Sequence, residues 1–181
     1  MTSGRRVVVH IAASADGYIA GPAGEIDWLT SRPAPKGFYG MEDFVKTIDT
    51  KVLGRRTFDL SRRMGAPFGA KDRTIVFSRR PPPADAPPGV EFASDDVGEF
   101  VRRLRQQPGR DVWLMGGGDL IASFLDANAI DEFVLSVVPV FIGDGIPLIA
   151  RRHRHVPLRL LSTERFEDGL VQLRYAIGDR A

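Results

Sequence analysis

Buried-looking apolar runs alternate with segments of helical spacing through the first two thirds of this chain, and then the helices stop. Arg5 to Ser14 carries Val7, Val8, Val9, Ile11, Ala12 and Ala13 with little polar interruption, the pattern of a strand covered on both faces. Shorter strands of the same kind are expected at Lys51–Gly54, Arg73–Phe77, Val90–Ala93 and Asp111–Met115. Between them, Met41, Phe44, Val45 and Ile48 share one helical face, and Arg56–Arg63 reads as a second helix. Asp95 or Asp96 caps a third, which runs to about Gln107 with Val97, Phe100, Val101 and Leu104 as its apolar stripe; Asp119–Asn128 is a fourth. From Asp131 only strands follow: a long one to Val140, then Pro157–Phe166 and Leu170–Ile177 as an antiparallel pair joined at Glu167-Asp168-Gly169.

The connecting segments carry turn residues: Asp16-Gly17, Gly21-Pro22-Ala23-Gly24, an irregular stretch from Ser31 to Gly40, and the proline-rich loop Arg79–Gly89. This order predicts an α/β protein, one domain over 1–181, with a mixed, mostly parallel central sheet, an antiparallel C-terminal edge and helices on both faces. A chain of 181 residues buries enough surface for a single core without staples.

Composition narrows the function classes. There are no cysteines, which excludes disulfides, thiolate metal sites and cysteine nucleophiles. Lys+Arg 25 against Asp+Glu 23 leaves a net charge of +2, too balanced for a general nucleic-acid binder. The run Arg151-Arg152-His153-Arg154-His155 reads as a solvated basic loop, and its histidines lack a carboxylate cluster that would make a metal site. The longest apolar stretch, Phe133–Ile142, is interrupted by Ser136 and Pro139 and falls short of the roughly 20 residues of a membrane span. Met1–Arg6 is polar and basic, and the apolar run behind it is too short for a signal peptide. The expectation is a soluble, cytoplasmic protein with a small-molecule substrate and no nucleic-acid or membrane partner. His10 falls inside a strand and reads as structural. Val134–Ile142 is an apolar strand that would suit pairing across the two-fold axis of a homodimer.

Candidate chemistry collects at strand ends. At Gly54-Arg55-Arg56-Thr57 a strand stops and a helix begins at once, so unpaired N–H groups, two guanidinium groups and a hydroxyl meet where an anion would sit. The same residues would also serve a plain surface turn. Gly116-Gly117-Gly118-Asp119 follows another strand and opens another helix; three glycines suit close approach of backbone to a ligand, although the spacing is not the dinucleotide fingerprint GxGxxG. Ser78-Arg79-Arg80 ends a third strand. Ligands of open α/β sheets bind at the carboxyl ends of strands, and the arginine pair would suit a 2′-phosphate. A fourth piece, Ala12-Ala13-Ser14-Ala15-Asp16-Gly17-Tyr18-Ile19-Ala20, offers small residues that leave room for a flat ring.

These pieces, Ala-Ala-x-x-Asp-Gly-x-Ile-Ala, Leu-Gly-Arg-Arg-Thr-Phe, Phe-Ser-Arg and Gly-Gly-Gly-Asp-Leu, occur in the order seen in the dihydrofolate reductase-like family. The resemblance is strongest to the branch of the riboflavin-biosynthesis reductase domain, the C-terminal domain of a bifunctional deaminase-reductase, which the segment Val138–Leu148 also resembles. It implies an NADPH-dependent oxidoreductase that reduces a small flat heterocycle, pterin-, pyrimidine- or folate-like. It also implies a cofactor map. Gly54, Arg55, Arg56 and Thr57 would hold the pyrophosphate and 2′-phosphate region, and Ser78 and Arg79 the adenosine ribose and its phosphate. Gly116, Gly117, Gly118, Asp119 and Leu120 would wrap the pyrophosphate, while Ala13, Ile19 and Ala20 flank the nicotinamide. A cis peptide at Gly116–Gly117 is expected. The family's substrate carboxylate does not align, which leaves Asp16, Asp27, Glu42 and Asp43 as candidates. Asp27 stands beside Trp28 and Leu29, an apolar setting suited to a proton donor; Glu42 and Asp43 suit a helix N-terminus. The competing reading is a non-catalytic nucleotide or small-molecule binding protein on the same fold. A hydrolase is disfavoured, because the chain has no G-x-S-x-G elbow.

Overall fold

β1 (Val7–Ser14) is buried along most of its length because it has a strand on each side and a layer on each face. The computed structural model describes residues 4–69 and 72–178; Met1–Ser3 of the basic amino-terminal stretch and the last three positions of the expected domain lie outside the described residues. After β1 come β2 (Tyr18–Ala20), the single turn α1 (Asp27–Thr30), α2 (Met41–Thr47), β3 (Ile48–Gly54), α3 (Arg55–Arg63), β4 (Arg73–Phe77) and β5 (Val90–Ala93). The chain continues with α4 (Val97–Gln106), β6 (Asp111–Gly116), α5 (Gly118–Asp126), β7 (Glu132–Val138), β8 (Ile146–Pro147), β9 (Leu158–Arg165) and β10 (Val171–Ile177).

Eight strands form one sheet in the order β5-β4-β3-β6-β1-β7-β10-β9, and β2 pairs with β8 in a small second sheet. From β5 to β7 every neighbouring pair is parallel, whereas β10 runs antiparallel to both β7 and β9. This is the mixed sheet with an antiparallel edge that the element order predicts. Alternation along each strand divides the core. Val7, Val9, Val52, Ile75, Val112 and Leu114 face α4 and α5, while Leu53 and Val76 face α3 through Phe58. Tyr39, Val138 and Leu170 form a third cluster against Trp28 and Leu29. Asp96 caps α4 by accepting from the Glu99 N–H at 3.0 Å.

Four expectations need correction. β3 begins at Ile48 rather than Lys51, directly after α2, because Ile48 leaves the helix for an extended backbone and is fully buried there. β7 stops at Val138, where Pro139 cannot continue the ladder. It is also an interior strand, hydrogen-bonded to β1 and β10, so Val134–Ile142 offers no free edge for pairing across a two-fold axis. The basic run near residue 153 is not wholly solvated either: Arg152 and Arg154 both pair with Asp126, at 2.6 and 3.0 Å, at the C-terminal end of α5. Among the described residues no helix is long and apolar enough to cross a membrane, and no group of three or more His, Asp or Glu side chains is placed to hold a metal.

Candidate active site

The register of the parallel strands sets three of the four sequence motifs side by side. Gly54 lies opposite Phe77, the residue before Ser78, and Leu53 lies opposite Gly116. Parallel strands share a direction, so these glycines and Ser78 meet at the carboxyl edge of the sheet. β1 ends at the same edge, two places from β3.

The contacts there are close. A Cβ added at Gly54 would lie 3.8 Å from the Gly116 carbonyl oxygen and 3.8 Å from the Gly117 nitrogen. One added at Gly117 would lie 3.3 Å from Thr57 Oγ1 and 3.8 Å from Ile19 Cδ1. β2, the first turn of α3 and the glycine bend therefore converge on Gly117. The Gly116–Gly117 peptide is cis, as the family resemblance implies.

Both helices that start here lack a side-chain cap. Gly54 is the N-cap of α3 and Gly117 that of α5, and neither supplies an oxygen to the free N–H groups of the first turn. Two unfilled helix starts on adjacent strand ends make an anion cradle. The cations around it differ in availability. Arg55 donates to both oxygens of Asp59 at 3.0 Å and to the Pro81 carbonyl at 3.0 Å, so its guanidinium is largely committed. Arg56 and Arg79 are exposed and make no hydrogen bond or ion pair among the described residues. Ser78 is turned inward on its own loop: its Oγ accepts from the Arg80 N–H at 3.1 Å and donates to the Arg80 carbonyl at 2.8 Å.

Other members of the predicted map sit differently. Leu120 is a core residue, packed with Ile121 and Phe124, and Asp119 is exposed with its carbonyl accepting from Ser123 at 3.0 Å. The Leu120 Cβ lies 3.9 Å from where a Cβ at Gly54 would stand, so the first turn of α5 packs against the start of α3. Ala13 and Ala20 are both buried.

Asp16 and Asp27 part company. The Ser14 hydroxyl donates to Asp16 Oδ1 at 2.6 Å, and the Gly143 and Ile142 N–H groups donate to Oδ2 at 2.8 and 3.1 Å. The Ser14 hydrogen bond, with these backbone donors, holds the Asp16 carboxyl below the usual carboxylate range. Asp16 is thus an ionised clamp that ties the Ile142–Gly143 loop to the β1–β2 turn, which disqualifies it as a proton donor near neutral pH. Asp27 is exposed on α1, while its neighbours Trp28 and Leu29 turn into the Tyr39 cluster. The apolar setting expected around its carboxyl is absent, because adjacent helical residues face different directions. Glu42 and Asp43 occupy the first turn of α2, with Asp43 paired to Lys46 at 2.6 Å, as expected of a helix start.

A polar cluster that sequence reasoning missed gathers around Asp168. Tyr39 Oη donates to Asp168 Oδ2 at 2.6 Å, Arg32 donates to the same oxygen at 2.7 Å, and Gln172 donates to Ser136 Oγ at 3.1 Å and to the Tyr39 carbonyl at 3.2 Å. These residues fasten the irregular Ser31–Gly40 segment to the β9–β10 turn. The one hint was aromatic residues amid glycines at Gly37-Phe38-Tyr39-Gly40, which all have positive φ.

The loop after β7 closes the far side of the cradle. The Leu148 N–H donates to the Gly17 carbonyl at 2.9 Å, and the Ala150 N–H to the Gly118 carbonyl at 3.2 Å. A Cβ at Gly118 would collide with the Pro147 carbonyl oxygen and lie 3.2 Å from that of Leu148, both backbone atoms with nowhere to retreat. Gly118→Ala is therefore expected to lose about 2 kcal/mol in urea denaturation, in the range of overpacked sites. A variant as stable as the parent would show that the loop yields.

A sequence match supports this geometry. The model of the RibD C-terminal domain family matches residues 5–172. The chain belongs to the RibD C-terminal domain family. Two uncharacterised Bacillus subtilis proteins are related to it along nearly their whole lengths. YwjB is 37% identical over 171 residues, covering 94% of this chain and 97% of YwjB. YyaP is 34% identical over 183 residues, covering 94% of each. Among solved structures, a putative riboflavin biosynthesis protein from Shewanella sp. PV-4 superposes with a TM-score of 0.82 at 27% identity, over 96% of this chain and 99% of that one. A Thermotoga maritima diaminohydroxyphosphoribosylaminopyrimidine deaminase/5-amino-6-(5-phosphoribosylamino)uracil reductase shares the fold, with a TM-score of 0.73 at 19% identity. This RibD-type chain covers 97% of itself but 57% of that longer protein. The RibD family brings with it the dihydrofolate reductase-like fold and a reductase-type domain.

Proposed function

We propose that this RibD-type domain is an NADPH-dependent reductase that transfers a hydride to a small flat heterocycle of the pterin, pyrimidine or folate kind. The observation that carries the reading is the meeting of Gly117, Thr57 and Ile19 at the carboxyl edge, between two uncapped helix starts. Bound NADPH would supply the hydride. The free N–H groups of α3 and α5, the Thr57 hydroxyl, Arg56 and Arg79 would hold its phosphates. Arg79 and Arg56, being uncommitted, would favour the extra 2′-phosphate over its absence. Ile19, whose Cδ1 lies 3.8 Å from where a Cβ at Gly117 would stand, would bound the ring and exclude water from its face. Asp16 keeps the loop after β7 in place as the opposite wall. With Asp16 ionised and Asp27 exposed, the proton comes from water at the solvent side of the cleft. The pyrimidine class is favoured by the uracil reductase activity named for the Thermotoga relative.

A second reading, a binding protein without turnover, is favoured by one observation: neither candidate carboxyl is set up as a donor. Thermal unfolding followed by turnover separates the two. NADPH at 100 times its dissociation constant should stabilise the fold by about 2.7 kcal/mol. That is a midpoint rise of roughly 5–11 °C for a chain of this length, with NADH giving less at equal concentration. Oxidation of NADPH with one member of a pterin and pyrimidine panel establishes the reductase. A shift without oxidation leaves the binding protein, and no shift with either nucleotide removes the reductase.

A further inference from the structure

The proline-rich loop between β4 and β5 is fastened to α3 at both ends of the helix. Pro81, Pro82, Pro83, Pro87 and Pro88 leave it few N–H groups with which to hold itself, so its anchors come from outside. In the first turn of α3, Arg55 donates to the Pro81 carbonyl at 3.0 Å. In the last turn, Arg62 donates to Asp85 Oδ2 at 2.8 Å and to the Asp85 carbonyl at 3.0 Å. The Arg62 guanidinium holds the Asp85 carboxyl below the usual carboxylate range. The far end of the loop rests on Gly69, where an added Cβ would collide with the Pro88 carbonyl oxygen. Arg79 stands between the end of β4 and the first of these anchors. Gly54 and Phe77 are register partners, so Arg56, two residues beyond Gly54, and Arg79, two beyond Phe77, leave the sheet side by side.

We propose that Arg62 and Asp85 form a positioning clasp for nucleotide selection: by fixing the proline loop on α3 they set Arg79 beside Arg56, as a pair spaced for the 2′-phosphate of NADPH. This rests on the nucleotide reading above and assigns the device behind its phosphate preference. Two guanidinium groups held side by side repel one another, and a free loop would let Arg79 swing away. A clasped loop of prolines denies it that escape, and a dianionic phosphate between the two arginines offsets the repulsion. A nucleotide without the 2′-phosphate gains nothing from the arrangement. Arg55, spent on Asp59 and Pro81, belongs to the same fastening, which accounts for adjacent arginines with different work. The sign of the effect separates positioning from charge. Asp85 is an anion on the loop that serves an anion, so by Coulomb's law alone its removal should tighten phosphate binding, the more so because Arg62 is released. Positioning requires the opposite.

Calorimetric titration of the full chain with NADP+ and NAD+, which reads binding without turnover, tests the clasp. The parent should bind NADP+ more tightly than NAD+. Asp85→Ala should weaken NADP+ binding about fivefold and leave NAD+ binding within about twofold of the parent. Asp85→Asn is equally uncharged but still accepts from Arg62, and should bind NADP+ within about twofold of the parent. In an Arg79→Ala background, Asp85→Ala should cause no further loss, because the clasp acts through Arg79. The melting midpoints of both Asp85 variants without nucleotide should match the parent's, since a partly exposed pair adds little to global stability. A parent that binds neither nucleotide overturns the nucleotide reading and the clasp with it. A parent that binds NADP+ beside an Asp85→Ala variant that binds it as tightly or more tightly overturns the clasp alone. Equal losses for NADP+ and NAD+, an Asp85→Asn variant as weak as Asp85→Ala, or a full further loss in the Arg79→Ala background would each do the same.

Discussion

Phe58→Ala is expected to destabilise the protein by about 4 kcal/mol, the middle of the range for removing a buried phenylalanine, and to weaken nucleotide binding in the molecules that remain folded. Phe58 is fully buried and is the one buried residue of α3. Its ring meets Phe68 at 5.3 Å and Phe92 at 5.7 Å, with Leu53 and Val76 of the sheet beneath. The polar holds on α3 are Arg55 on Asp59 and Pro81, and Arg62 on Asp85 at 2.8 Å, with the Arg62 guanidinium 5.5 Å from the Phe58 ring centre. The partly exposed pair of Arg62 with Asp85 contributes little. One aromatic side chain therefore sets where the first turn of α3 sits, and with it Arg56 and Thr57. A loss of this size is a large share of the roughly 5–15 kcal/mol that stabilises an ordinary domain. Phe58→Leu, which keeps most of the volume, should cost less than about 1.5 kcal/mol and retain binding. Urea denaturation checks the first part and nucleotide titration at low temperature the second. If Phe58→Ala binds as tightly as Phe58→Leu, α3 is positioned by its polar contacts instead.

The parts of the fold that were legible in the sequence are those where one local pattern had one solution. β1, β4 and β6 show as buried apolar runs because they lie inside the sheet under helices on both sides, and α4 shows through its stripe and its Asp96 cap. The start of β3 was hidden because Ile48 completes the apolar face of α2 as well as it begins a strand, and no turn residue separates the two. The β2–β8 sheet was illegible for a different reason. Tyr18–Ala20 finds its partner at Ile146–Pro147, and a three-residue strand with a remote partner has no periodicity to read. The site divides in the same way. Glycines that stop a strand and start a helix reveal Gly54 and Gly117 from sequence. The functional weight of the arginines does not follow from their type: Arg55 is spent on Asp59 while Arg56 beside it is not. Asp16 and Asp27 were separated only by what folds over them, the Gly143 and Ile142 amides in one case and solvent in the other.

Acid should destabilise this protein through one histidine before most carboxylates begin to titrate. His10 is 8% exposed on β1, stacked on Phe44 of α2 with ring centres 4.7 Å apart. Phe44 in turn meets Trp113 edge-on at 5.5 Å, and the Trp113 indole donates to the His10 carbonyl at 3.1 Å. Burial, with the nearby Arg174 guanidinium, pushes the imidazole down to about 4. In the unfolded chain a histidine takes up its proton near pH 6.5. Between those values the unfolded state therefore holds a proton that the folded state refuses, so stability falls as pH is lowered through that window. Above pH 6.5 both states are neutral at this position, and its contribution is fully present. Each pH unit is worth about 1.36 kcal/mol, which makes the loss about 3 kcal/mol by pH 4. His10→Leu keeps an apolar contact with Phe44 and removes the titration. The difference in unfolding free energy between the parent and His10→Leu should hold constant from pH 8 to 7 and then shrink steadily towards pH 4, while carboxylates common to both cancel. A difference that does not change with pH would mean that His10 accepts its proton inside the folded protein, and that the packing between α2 and the sheet opens to let it do so.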